Sequence, residues 1–341
     1  MNQLKLNLRK SPYDPRDYKI KVNNISPLKA NIIDLSNDCT TVKNQGNIGS
    51  CTAFSVIGLM EYIYKKALHN GQEDIYSEKF TYYDTRVNQL KWPANSDSGA
   101  YLKDTIASVV KAGALPERYF PYNSVYWQVP PNSVYTYAKT NQVVAYAKVN
   151  EGSTLAEREK SLEDCCKLLE EGFPFVGGFI CYSSIWNADV SKTGIIPLPG
   201  GSQVGGHAIL IVGYDKVNRR FKFKNSWGST WGDKGYGHLP FEYLLTGQLW
   251  DLWTIFKQEN FSNTSIIGIE KPQNNEQKDN NMVPLIKEVS ADIQQTTNEM
   301  VNNLQTQINK LQTELNNLLN QVNVYQQSLN NKLNDLQKKI T

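Results

Sequence analysis

The 341-residue sequence is poor in features that mark several large protein classes. It has five cysteines, three histidines and a net charge of only +3. An odd, small number of cysteines without paired spacings gives no disulfide framework and favours a reducing compartment. The weak charge gives no electrostatic reason for a nucleic-acid partner. The scattered histidines have no metal-ligand spacing, so neither a metal nor a cofactor is expected.

Long apolar runs are also missing. No stretch approaches the roughly 20 apolar residues that a transmembrane helix needs. Residues Met1 to Lys10 alternate leucines with polar residues and lack the apolar centre of a signal peptide. We therefore expect an intracellular, cytoplasmic protein, or a virion component if the source is a virus. Secretion by a signal peptide and a membrane partner are not expected.

What the sequence does contain is a cysteine at the start of an apolar helix. The range Cys51–Leu68 is predicted to be helical because apolar residues recur at steps of four and three. The helix N-terminus would favour the Cys51 thiolate, whose ordinary pKa is roughly 8.5. Gln45 supplies amide N–H groups that suit a developing oxyanion. By itself, however, a lone cysteine is more often a small buried residue.

A second candidate group lies far downstream. His207 begins an apolar run that reads as a strand, and residues 221–225 alternate like a second strand. A hairpin of the two would place Asn225 beside His207, where an amide oxygen would fix the tautomer of the imidazole. Trp227 would cover that hydrogen bond. Alone, His207 is more often a core histidine than a catalytic one.

Together these motifs resemble those of papain-like (C1) cysteine peptidases. The resemblance rests on Gln45-Gly46, Gly49-Ser50-Cys51, Gly206-His207-Ala208 and Asn225-Ser226-Trp227-Gly228, and covers about Ile33 to Phe256. It implies an α+β fold of two lobes, a helical lobe followed by a β-barrel-like lobe. Thr52 and Ile48 depart from the usual pattern and resemble a bacterial and large-DNA-virus branch that lacks the long pro-segment.

The resemblance also implies the roles of individual residues. Cys51 would be the nucleophile, His207 its base, Asn225 the residue that orients His207, and Gln45 the oxyanion donor. The substrate-binding candidates are Ser98, Gly99, Ala100, Gly206 and Trp227. By the resemblance, the segment at residues 98–100 would pair with an extended substrate by main-chain hydrogen bonds. The sequence alone predicts that Ser77-Glu78 caps a second helix through about Val87, and that residues 97–100 open a third helix that ends near Gly113.

The chain divides into four predicted parts. Residues 1–32 form an extended N-terminal segment, 33–258 the peptidase domain, 259–284 a polar linker and 285–341 a coiled-coil helix. The N-terminal segment is interpreted as a brace on the domain surface. The alternative is a short lid, with Pro12 to Tyr18 crossing near Cys51.

The predicted coiled coil follows from a stripe of apolar residues at alternating steps of four and three. The stripe comprises Leu304, Ile308, Leu311, Leu315, Leu318, Val322, Tyr325 and Leu329. Self-association into a homo-oligomer is favoured over docking of this helix on its own peptidase domain.

The predicted function is hydrolysis of peptide bonds by a Cys51 thiolate and His207 imidazolium pair, as an endopeptidase acting on peptides or proteins. Two alternatives remain open. One is a transpeptidase or ligase using the same site. The other is a structural or adaptor protein held by its coiled coil, with a vestigial peptidase domain.

Overall fold

The computed structural model describes residues 5–15, 17, 19–22, 28–68, 75–143, 145–256, 267–270, 302 and 305–332. The chain forms two compact units, residues 1–273 and 274–341. Among the described residues, no helix combines the length and apolar character needed to cross a bilayer. The same residues contain no group of three or more His, Cys, Asp or Glu side chains placed to hold a metal ion.

In the described part of the first unit, two short strands come first, four of the seven helices follow, and the later helices alternate with the remaining strands. Its helices are α1 Cys51–Leu68, α2 Glu78–Tyr83, α3 Leu102–Lys111, α4 Asn132–Lys139, α5 Leu155–Glu170, α6 Ala188–Thr193 and α7 Glu242–Leu245. Its strands are β1 Lys19–Val22, β2 Ile32–Asp34, β3 Ala145–Lys148, β4 Phe175–Tyr182, β5 Gln203–Asp215, β6 Arg220–Lys224, β7 Tyr236–Pro240, β8 Leu249–Phe256 and β9 Ile267–Glu270.

The nine strands form one sheet in the order β7-β6-β5-β4-β8-β3-β1-β9, with β2 paired to β5. Strand β5 lies at its centre and separates two apolar cores. Ala208, Leu210 and Val212 pack into the core formed with α1 and α3, whereas Ile209 and Ile211 pack into the core beneath α5. Successive side chains of a strand point to opposite faces, so a strand covered on both faces is continuously apolar.

Several predicted elements are confirmed. Helix α1 has the predicted bounds. Helix α2 is capped by Ser77, whose hydroxyl accepts the Phe80 N–H. The predicted hairpin exists, with β5 and β6 antiparallel and Leu210 opposite Lys224. This register carries Asn225, just beyond β6, towards His207 on β5.

Other boundaries were wrong. Residues 98–100, predicted to open the third helix, are extended, and α3 starts only at Leu102. Helix α2 ends at Tyr83 and continues as the π-helical turn Asp84–Gln89. Helix α4 was missed because apolar spacing gives little signal over eight residues. Strand β9 lies within the predicted linker and pairs with β1, whose four residues fall in the N-terminal segment.

In the second unit, residues 305–332 are helical. The apolar stripe along this helix is exposed, from Ile308 at 46% to Tyr325 at 75% of the side-chain surface. The remainder of the predicted coiled-coil helix, including Leu304 and residues 333–341, lies outside the described residues.

Candidate active site

Cys51 is the first residue of α1 and is fully buried. Three backbone N–H groups, those of Ala208, Thr52 and Cys51, are directed at its sulfur and act to lower its pKa. Burial outweighs them and raises the pKa of the thiol to about 11. The expectation from the sequence that the pKa of Cys51 is lowered is therefore wrong for the structure described here. Desolvation of the thiolate exceeds the favourable effect of the helix N-terminus.

His207 lies on β5 and is held by two neighbours. Its Nε2–H donates to Asn225 Oδ1 at 2.8 Å, and the ring of Trp227 stacks on the imidazole at 4.5 Å. The amide oxygen can only accept, so the proton of the neutral ring is on Nε2. Nδ1 has no hydrogen-bond partner among the described residues. The free nitrogen is thus available to a thiol proton.

The charge of His207 is set by its surroundings. Burial lowers its pKa to about 4, although the hydrogen bond with Asn225 acts to raise it. With the pKa of Cys51 raised and that of His207 lowered, both groups are neutral near pH 7. Burial thus favours the neutral thiol and the neutral imidazole over their charged forms.

Gln45 lies in the loop before α1 and is completely buried. Its Nε2 donates to the Ile48 carbonyl at 2.8 Å, and its Oε1 accepts the Ser226 hydroxyl at 2.6 Å. An amide nitrogen carries two hydrogens, so one donor remains for an oxyanion. Ser226 N–H donates to Asn225 Oδ1 at 2.8 Å, which couples the positions of Gln45 and Asn225.

The remaining candidates line a cleft that is filled by the chain's own N-terminus. Gly206 N–H donates to the Leu6 carbonyl at 3.1 Å, and Leu8 N–H donates to the Gly206 carbonyl at 3.2 Å. On the opposite side, Arg9 N–H donates to the Ala100 carbonyl at 3.3 Å. We call residues 5–11 the cleft segment. It runs extended between residues 98–100 and Gly206.

Asn7 of the cleft segment explains why two neighbouring positions are glycine. A Cβ at Gly99, where φ is +71°, would lie 2.0 Å from the Asn7 carbonyl oxygen. A Cβ at Gly49 would lie 2.1 Å from the Asn7 side-chain oxygen. Glycine is required here by the close approach of another backbone and side chain.

Sequence reasoning placed the lid alternative at Pro12 to Tyr18, but Leu6 to Arg9 lie in the cleft. The residues that follow are anchored outside it: Ser11 N–H donates to Asp251 Oδ2 at 2.6 Å, and Lys103 pairs with Asp14 at 2.7 Å. The alternation of leucines with polar residues at 4–8 was the available signal. Asp97, which contacts the cleft segment, was expected only to open a helix, and no functional role was predicted for it.

Comparison with known proteins places this geometry in a family. The sequence model "Papain family cysteine protease" matches residues 28–242, more than half of the chain. An uncharacterized peptidase C1-like protein of Acanthamoeba polyphaga mimivirus is 32% identical over 62% of this chain and 68% of its own length. The gamete and mating-type specific protein A of Dictyostelium discoideum is 25% identical over 60% of this chain but only 41% of its own length.

The solved structures agree. Xylellain, a cysteine protease from Xylella fastidiosa, is 30% identical, with a TM-score of 0.61 over 75% of this chain and 97% of that structure. The family match at residues 28–242 includes Cys51, His207 and Asn225. The chain belongs to the papain family of cysteine proteases.

Proposed function

We propose that the protein is a thiol endopeptidase that uses Cys51 and His207, and that the cleft segment keeps it latent. The observation that carries this proposal is the orientation of His207. Its Nε2–H is fixed on Asn225 while Nδ1 is left free, and the N–H of the next residue, Ala208, points at the Cys51 sulfur. Nucleophile, base and orienting group are thus assembled.

In the proposed reaction, Cys51 passes its proton to His207 Nδ1 and the thiolate attacks the peptide carbonyl. The second Nε2–H of Gln45 and the Cys51 backbone N–H stabilise the oxyanion. The imidazolium then protonates the leaving amine as the C–N bond breaks. Water, activated by His207, hydrolyses the acyl-enzyme and restores the thiol.

Endopeptidase action is supported by the path of the cleft segment. It pairs with the cleft by main-chain hydrogen bonds at Gly206 and Ala100, and the chain continues beyond both contacts. A cleft open at both ends accepts the interior of a polypeptide. Main-chain pairing of this kind is the strand-addition mode of peptide recognition.

Latency is supported by burial. Leu8 is 8% exposed and lies in the same apolar core as Cys51, so the segment both fills the cleft and removes the thiol from water. Substrate must displace it before reaction. The same displacement would rehydrate Cys51 and His207 and relieve the burial that keeps both neutral.

The test uses the full chain with Leu6→Asp and Leu8→Asp, which place two carboxylates in apolar contacts and should release the cleft segment. We expect this open variant to cleave fluorogenic peptides at least about tenfold faster than the unaltered chain, since each buried charge costs several kcal/mol. Leu198→Asp, at a side chain already 64% exposed, is the matched control. Cys51→Ala in the open variant should be silent.

An electrophilic peptide gives a second readout. It should alkylate Cys51 of the open variant much faster than Cys165, which is fully buried on α5. An open variant that cleaves nothing and whose Cys51 reacts no faster than Cys165 would rule out the peptidase.

We also propose self-association through the helix at residues 305–332 and action in a reducing compartment. The exposed apolar stripe supports the first proposal, because burying such a stripe against a second copy removes it from water. The second is supported by the five cysteines, which are all buried free thiols. Subcellular fractionation, with the full chain detected by an antibody, tests the proposed compartment.

A further inference from the structure

The two sides of the cleft differ in chemistry. We call Trp92, Asp97 and Tyr101 the helical-lobe wall, and Gly178, Gly205 and Trp250 the sheet wall. The side chains of the cleft segment alternate between these two walls. Leu8 approaches Gly178, Leu6 approaches Gly205, and Lys10 Nζ lies 6.0 Å from the centre of the Trp250 ring. Lys5, Asn7 and Arg9 face the helical-lobe wall.

Two cations and one amide of the cleft segment contact the helical-lobe wall. Lys5 Nζ lies 2.6 Å from Asp97 Oδ2, and the Arg9 guanidinium lies 4.8 Å from the centre of the Trp92 ring. Asn7 lies between them and donates through Nδ2 to the Asp97 carbonyl at 3.0 Å. Two of three side chains on this face are thus basic, and each has a partner of matching chemistry.

Asp97 is built into the cleft. Its carboxylate accepts the Tyr82 hydroxyl at 2.6 Å and the Gly49 N–H at 3.1 Å, and its side chain is only 4% exposed. These two donors fix the position of the carboxylate, and one of them, Gly49, lies two residues before Cys51 in the sequence. Lys5, by contrast, is 47% exposed and approaches from the solvent side. Release of the cleft segment therefore uncovers a fixed anion and removes its ammonium partner.

A second cation, Arg86, lies near Asp97 but cannot replace Lys5 as its ion-pair partner. Arg86 interacts electrostatically with Asp97, yet its guanidinium is committed to backbone carbonyls. It donates to Ala94 at 3.1 Å, to Ser96 at 2.5 Å and to Tyr126 at 3.2 Å. On the cleft side, Lys5 is the only cation within 4 Å of the carboxylate among the described residues.

We propose that Asp97 is a specificity-determining residue, which selects peptide and protein substrates carrying lysine or arginine on the face that meets the helical-lobe wall. In the closed chain, Lys5 of the cleft segment pairs with Asp97 in place of the substrate cation. This inference rests on the proposed peptidase function. Its physical basis is that a substrate without a cation leaves Asp97 partly desolvated and unpaired, which costs transition-state binding.

The test measures kcat/KM of the open variant on peptides that differ only in lysine or norleucine, placed in turn at each position around the scissile bond. These side chains have nearly the same length, so the comparison isolates charge. We expect lysine to be preferred at one position by about tenfold, a value between exposed and buried charge pairs. Asp97→Asn should bring the lysine-to-norleucine ratio at that position close to one.

The variants separate specificity from structure. Asp97→Asn keeps an oxygen acceptor for the Gly49 N–H and the Tyr82 hydroxyl. Asp97→Glu keeps the charge and should retain a lysine preference, and Asp164→Asn on α5 should leave the preference intact. Equal loss for both peptides in Asp97→Asn would mean that Asp97 only supports the Gly49 loop. That result, or the absence of a lysine preference at every position, overturns the proposal.

A binding measurement separates failure of this proposal from failure of the peptidase. The open variant carrying Cys51→Ala is titrated with a fluorescent peptide of residues 5–11, with lysine or norleucine at position 5. Tighter binding of the lysine peptide by about tenfold, lost in Asp97→Asn, supports the anion site without any turnover. Equal affinities of the two peptides would refute the site, whatever activity is found.

Discussion

At the scale of single residues, burial sets the charge of the two groups that carry the proposed chemistry. Cys51 and His207 are both fully buried, which raises the pKa of the thiol to about 11 and lowers the pKa of the imidazole to about 4. Both shifts favour neutral forms. Burial in the closed chain thus disfavours the thiolate–imidazolium ion pair, on which the reactivity of the thiol depends.

The lowered pKa of His207 predicts a pH dependence of stability. In the unfolded chain His207 takes up a proton below about pH 6.5, whereas in the folded chain the buried imidazole takes it up only near pH 4. The free energy of unfolding should therefore fall as the pH drops from about 6.5 to about 4, by on the order of 3 kcal/mol from this residue. Urea unfolding at a series of pH values measures it.

His207→Gln is the matched variant, because glutamine cannot take up the proton. Contributions from carboxyl groups, such as Glu78 with its pKa raised by burial, are common to both chains and cancel in the difference. The variant should lose less stability than the unaltered chain over this range. Parallel pH profiles of the two chains would contradict the assignment.

At the scale of elements, a buried ionic group joins the loop before α1 to helices α1 and α2. Lys43 Nζ lies 2.8 Å from Glu61 and 2.7 Å from Glu78. Burial alone would lower the pKa of Lys43, but the two carboxylates raise it above its ordinary value. The lysine therefore stays charged, and it compensates two carboxylates that are almost wholly removed from water.

We predict that Lys43→Met destabilises the fold by about 3–5 kcal/mol, because it removes the cation that pairs directly with the buried Glu61 and Glu78 carboxylates. Chemical denaturation measures this loss. Adding Glu78→Gln should restore part of the stability. Lys160→Met on α5, at a lysine 62% exposed and 3.4 Å from Asp164, should cost at most about 1 kcal/mol. A similarly small effect of Lys43→Met would show that the ionic group contributes little.

The cleft segment shows how an element can be defined by its partner. Residues 6–9 have too few apolar positions for a strand that packs on its own, and each bridge they make joins residues far apart in sequence, such as Asn7 with Gly206. The hydrogen bonds are between main-chain atoms, which every residue type carries. The sequence therefore indicated an extended segment without indicating its location.

At the scale of the whole molecule, the helix at residues 305–332 presents apolar side chains to solvent. Leu311, Leu315 and Leu318 are each more than half exposed. We predict that Leu311→Asp with Leu318→Asp lowers the molecular mass to that of a monomer in light scattering, because each charge would enter the interface of a coiled coil. Peptide cleavage by the open variant should be unaffected.

The control lies on the same helix. Val324→Asp changes a residue that is 66% exposed but falls outside the heptad stripe, so the mass should stay that of the oligomer. A monomeric unaltered chain, or an oligomer that survives both aspartates on the stripe, would refute self-association through this helix.

Much of the candidate active site was predictable, because the sequence patterns that indicate its elements are local. The apolar spacing of α1 fixes a helix with Cys51 at its start, and the alternation of residues 221–225 fixes the hairpin that brings Asn225 to His207. The extended conformation of residues 98–100 was less predictable, since capping residues favour a helix start equally well. Asp97 could not be found, because its partners Lys5, Gly49 and Tyr82 meet only in the fold.

The sequence by itself determined the chemical groups, the main helices and the central strands, since each depends on residue type and on spacing within a few turns. Only the tertiary structure decided that the cleft is occupied, that Cys51 and His207 are neutral, and that Asp97 holds a cation. These properties depend on which distant segments exclude water from one another. Desolvation is a property of the assembled fold, so no local pattern in the sequence encodes it.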